Sequence, residues 1–99
     1  MDRATLLTQL SPFISLGQRE GKPFEIVRLD DAIPGVESDS FIVRIVAPWS
    51  ATVGDAYGVL TDLLWRSTDV ETRRAIFALN VRPTAADIIS VAQAQAVWT

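Results

Sequence analysis

The sequence predicts an α+β fold: an N-terminal helix, an antiparallel β-hairpin, then three C-terminal helices packed on the hairpin. Two apolar runs, Phe24-Glu25-Ile26-Val27-Arg28-Leu29 and Phe41-Ile42-Val43-Arg44-Ile45-Val46, flank a polar stretch containing Pro34-Gly35, the pattern of two strands and a turn. Apolar residues recur at helical spacing before the first run and after the second. With 99 residues and 48% of them hydrophobic, the chain has material for one modest core, so residues 1–99 are read as a single domain.

Asp2 caps the first helix, whose stripe is Leu6, Leu7, Leu10, Phe13 and Ile14. Ser11-Pro12 allows the helix to restart, and Gly17 is expected to end it. In the second strand Phe41, Val43, Ile45 and Ala47 fall on one face, and Ile42, Arg44 and Val46 on the other. Both faces are largely apolar. A two-stranded hairpin covered on one side would leave Ile42 and Val46 wet, so helices on both faces, a third strand or a partner subunit is required.

Ser50 or Thr52 is expected to cap the next helix, with the stripe Val53, Ala56, Tyr57, Leu60, Leu63 and Leu64. Gly54 and Gly58, four apart on it, suggest close packing on the hairpin. Thr68-Asp69-Val70-Glu71 reads as a capping box that starts a helix running to about Asn80. The competing reading makes residues 75–81 a third strand, because Phe77, Leu79 and Val81 alternate with Ile76, Ala78 and Asn80. After Arg82-Pro83, Thr84 is expected to cap a last helix reaching Trp98.

The composition excludes more than it selects. The chain has no cysteine and no histidine, which removes thiolate nucleophiles, disulfides, the commonest general base and the commonest metal ligands. No cofactor or metal is expected, and the chain is not read as an enzyme. The N-terminus has no basic region ahead of a long apolar run, and no stretch is long enough to span a membrane, so a cytoplasmic protein without membrane contact is expected. Nine basic against twelve acidic residues give a net charge of −3, the wrong sign for a broad phosphate-binding surface.

Three constellations remain. Asp30, Asp31, Glu37 and Asp39 crowd the hairpin connection, without the spacing of an EF-hand loop, and read as a solvated or protein-contacting loop. Residues 75–88 have the cadence of a helix-turn-helix, with Arg66, Arg73, Arg74 and Arg82 as phosphate contacts; yet the second helix would carry Asp87 and no basic residue, so nucleic acid is a minor reading. Trp49, Trp65, Arg66 and Arg73 are the residue types most enriched at interface hot spots. The functional expectation is a small acidic protein-binding module, such as an inhibitor, immunity-type or accessory protein. Its contact residues are expected among Trp49, Trp65, Arg66, Arg73, Asp30, Asp31, Glu37 and Asp39. The alternative is an assembly subunit that forms a homo-oligomer of the phage-like or shell kind.

Overall fold

The computed structural model describes residues 1–33 and 40–84. The fold is α+β: helices α1 (Arg3–Gln9) and α2 (Ser11–Arg19), strands β1 (Glu25–Asp31) and β2 (Phe41–Val46), a 3-10 turn (Pro48–Ala51), helices α3 (Ala56–Ser67) and α4 (Val70–Arg74), and strand β3 (Ile76–Arg82). The sheet order is β1-β2-β3, with β1 antiparallel and β3 parallel to β2.

The N-terminal helical stretch is two helices. The Asp2 carboxylate accepts from the Thr5 N–H at 2.7 Å and starts α1, and Pro12 sits in the first turn of α2, where no N–H is missed. Gly17 does not end α2. It is buried within it, and a Cβ there would lie 2.6 Å from the Phe24 ring, so glycine is what lets the incoming strand approach the helix. The reversal falls at Gly21, whose φ of 72° is the left-handed conformation glycine tolerates best.

β2 is the central strand and alternates as its sequence requires. Phe41, Val43, Ile45 and Ala47 are buried against Leu6, Leu10 and Phe13 of the N-terminal helices and Leu60, Leu63 and Leu64 of α3. Phe13 meets Phe24 with ring centroids 4.4 Å apart. Ile42 and Val46 on the other face are half-buried, and β3 supplies their neighbours: Ile42 is opposite Ala78, and Val46 is opposite Arg82. Of the three forms of cover the sequence demanded, a third strand is present.

The C-terminal half departs from the expected helices. The helix expected from Thr68 to about Asn80 is a single turn and a half, Val70–Arg74, and the chain then becomes β3. Its cap is Asp69, whose carboxylate accepts from the Thr72 N–H at 2.8 Å, one residue after the expected Thr68. α3 is likewise capped by Asp55, accepting from the Gly58 N–H, while Ser50 lies in the 3-10 turn and Thr52 follows it. The two glycines do not mark close packing on the sheet. Gly54 has open space around it, and Gly58 makes room for the Asp55 carboxylate that caps its own helix. Because residues 76–82 are strand, the first helix of the helix-turn-helix cadence is not there. The last expected helix lies outside the described residues.

A groove between α3 and the edge of β3

The capping of α3 by Asp55 fixes which residues face where. With Leu60, Leu63 and Leu64 turned into the core, Tyr57, Thr61 and Trp65 follow one another at four-residue spacing along the flank of the helix. That flank lies beside β3. Together with Arg73 and with Ile76, Phe77 and Ala78 of β3, these side chains line an open groove of about 210 Å³.

Three aromatic rings stand out around it. Tyr57 is 57% exposed, Trp65 62% and Phe77 66%, although each flanks residues of the core. Phe77 owes its position to the sheet register. Phe41 pairs with Ile76 and Ile42 with Ala78, so Phe77 is the extra residue of an irregularity that turns its side chain off the regular pleat.

Arg73 is held over this surface. Its guanidinium lies 4.2 Å from the centre of the Trp65 ring, and one of its nitrogens donates to the carbonyls of Thr68 and Trp65. Among the described residues, no carboxylate lies within ion-pairing distance of it. Among the described residues that line the groove, it is also the only charged side chain. Thr61 spends its hydroxyl on the Tyr57 carbonyl at 2.8 Å. Among the described residues, the lining offers rings, one cation and the backbone of β3, and no carboxylate. It is equipped to bind a ligand's apolar groups and a negative charge.

The edge of β3 completes the site. Among the described residues β3 pairs only with β2. Since the Ala47 N–H donates to the Arg82 carbonyl, strand alternation turns the backbone of Asn80 and Ala78 toward β2 and that of Leu79 and Val81 outward.

The residues singled out from the sequence do not form one patch. Trp65 and Arg73 meet in the groove. Arg66, on the same helix, is turned away and holds Glu20 through two bonds of 2.7 and 2.9 Å and Asp62 through a third of 2.9 Å. Those hydrogen bonds, the one to Glu20 foremost, raise the pKa of Arg66, and the same fork holds the Glu20 carboxyl below its usual range. Trp49 is half-buried against the core, its indole N–H donating to the Pro23 carbonyl at 2.7 Å, with Lys22 over its ring. Asp30 binds Arg28 and Arg44, and Asp31 binds Arg3, all on the β1 side of the sheet. Glu37 and Asp39 lie outside the described residues.

A second depression, beside β1, is lined by Arg3, Leu7, Val27 and Arg28, but both of its arginines already hold carboxylates. Sequence reasoning missed Tyr57 and Phe77. Tyr57 falls on the apolar stripe of α3, the pattern of a core residue, and Phe77 is displaced by a register irregularity that local sequence does not announce. Among the described residues there is no cluster of three potential metal-ligating side chains, and no helix long and apolar enough to cross a membrane.

No protein family, curated protein or solved structure matches the chain.

Proposed function

We propose that the chain is a small non-enzymatic module that binds another protein, of the inhibitor, immunity-type or accessory kind, and that it receives its partner in the groove between α3 and β3. The observation that carries this reading is the convergence of Tyr57, Trp65 and Phe77, all more than half exposed, around Arg73. Burying an aromatic side chain is worth roughly 1.5–3 kcal/mol, and these rings leave much of that unrealised in one place. Tyrosine, tryptophan and arginine are also the residues on which binding energy concentrates in protein interfaces.

A photoreactive phenylalanine analogue placed at Phe77 tests it. On illumination in an extract of the source cells, a discrete cross-linked protein is expected from position 77 and none from Val27 on the opposite sheet edge. Equal cross-linking from both positions defeats the reading.

The second reading, a homo-oligomeric assembly subunit, draws on the same edge: Ile76-Phe77-Ala78-Leu79-Asn80-Val81 carries no charge and no proline, and two copies related by a two-fold axis would pair there without like charges facing each other. Light scattering separates the two. A monomer at micromolar concentration favours the module, and a defined oligomer favours the subunit.

A further inference from the structure

We infer that what the groove receives is an extended, mainly apolar segment of the partner, which adds a strand along β3 and sets a carboxylate on Arg73; this rests on the protein-binding reading of the groove. The two edges of the sheet differ in a way that points to it. β1 carries Glu25, Arg28, Asp30 and Asp31, and its pairing shifts register between Ile26 and Arg28, so charge and irregularity both discourage a further strand. β3 carries no charge from Ile76 to Val81, and its pairing is regular from Ala78 onward. Among the described residues, protection is present on one edge and missing on the other. The unprotected edge is the one bordered by exposed rings.

An extended segment fits the groove's chemistry at each level. The outward backbone groups of Leu79 and Val81 offer hydrogen bonds to a neighbouring strand, alternate side chains of that strand would fall toward Phe77 and Trp65, and the remaining contact is ionic. Arg73 is set for that contact. Its ring contact with Trp65 and its bonds to two carbonyls fix the guanidinium plane, and only one nitrogen is used in those bonds. The other N–H groups remain for a carboxylate: Asp69 feels the charge of Arg73, but its carboxylate is engaged by the Thr72 N–H, and no described carboxylate comes within ion-pairing distance of the guanidinium. In a chain of net charge −3 the groove is a local cationic point, so charge complementarity selects an acidic ligand. A second copy is the less suitable occupant, because β3 itself brings no carboxylate to meet Arg73.

The test is selection from a random-sequence peptide phage library on the immobilised full chain, followed by titration of the winning peptides against wild type, Arg73→Gln, Arg73→Lys and Trp65→Ala, each first shown to melt like wild type. The expected winners alternate apolar residues and carry an Asp or Glu at a fixed place. Replacing that residue by its amide, or Arg73 by Gln, should weaken binding roughly tenfold, with the two losses not adding. Arg73→Lys should recover part of the loss, and bound peptide should slow amide exchange at Leu79 and Val81.

Peptides that need Trp65 but are indifferent to Arg73→Gln overturn the carboxylate and leave the groove reading intact. Peptides that bind without slowing exchange at Leu79 and Val81 overturn the added strand. Absence of any winner, or winners unaffected by Trp65→Ala, overturns the inference, and cross-linking at position 77 then decides the groove reading separately. A concentration-dependent dimer abolished by Phe77→Asp puts a second copy in the groove and likewise overturns it.

Discussion

Arg28 and Arg44 are direct cross-strand partners, and the Asp30 carboxylate binds the Nε of both at 2.8 Å. Like charges opposite each other in an antiparallel pair are destabilising, so the sheet tolerates this pair only because a third, half-buried group neutralises it. Asp30→Asn keeps the size of the side chain and removes the charge, which should cost about 1–2 kcal/mol, more than a typical surface ion pair. Adding Arg28→Met should return part of that loss, since the opposed cation is gone. Urea denaturation midpoints of the single and double variants check this, and an Asp30→Asn protein as stable as wild type refutes it.

Among the described residues, acid should act on the domain through four carboxyls. Burial pushes the Asp30 carboxyl up, but hydrogen bonds from Arg44 and Arg28 outweigh that and hold it below its ordinary value. Backbone N–H bonds from Thr5 and Thr72 lower Asp2 and Asp69, and the Arg66 fork lowers Glu20. Each group therefore binds its proton more weakly in the native state than in the unfolded chain, so the stability it contributes is present above the ordinary carboxylate range, about pH 4, and is lost as pH falls through the lowered native values. With no histidine to titrate, the melting temperature should be nearly flat between about pH 8 and 5 and fall below about pH 4. Glu20→Gln combined with Asp69→Asn should make that fall shallower. An unchanged acid limb in the double variant counts against these two carboxyls.

The hairpin was legible in the sequence because its evidence is local. Alternation at Phe41, Val43 and Ile45 states which face is buried without reference to any other segment, and the apolar surplus at Ile42 and Val46 correctly demanded further cover. β3 was legible only as an alternative. A helix start does occur at Asp69, but β3 is a strand because it pairs in parallel with β2, some thirty residues away, and such a partner leaves no mark on the segment itself. The site divided in the same manner. Trp65 and Arg73 could be named from residue type, whereas Tyr57 and Phe77 gain their meaning from the capping of α3 and the register of β3.

Capping gives a prediction whose sign depends on background. Gly58 lies in the first turn of α3, and a Cβ there would strike the Asp55 carboxylate that caps the helix. Replacing an interior helical glycine by alanine ordinarily gains up to about 1 kcal/mol, and losing an aspartate cap costs about the same. Gly58→Ala should thus be neutral to destabilising in the wild-type chain, because it expels the cap, and stabilising once Asp55→Ala has already removed it. A double-mutant cycle on melting free energies reads the difference. Additive effects would mean that Asp55 finds another way to cap α3.

Two phenylalanines separate what folds this chain from what the groove is for. Phe13 is fully buried, and Phe13→Ala should cost about 3–5 kcal/mol, a large part of the stability of a domain this size. Phe77 is 66% exposed on an edge strand that carries no charge from Ile76 to Val81, and Phe77→Ala should change stability by no more than about 0.5 kcal/mol. An exposed ring on an unprotected edge also invites unwanted strand pairing, so Phe77→Ala, and more so Phe77→Lys, should raise the concentration at which the protein begins to self-associate. Urea melts and light scattering on the same samples measure both effects. If Phe77→Ala proves as destabilising as a core truncation, the ring is structural and the groove loses its central argument. If it leaves stability untouched, improves solubility and abolishes cross-linking or peptide binding, then the ring serves contact with something other than its own core.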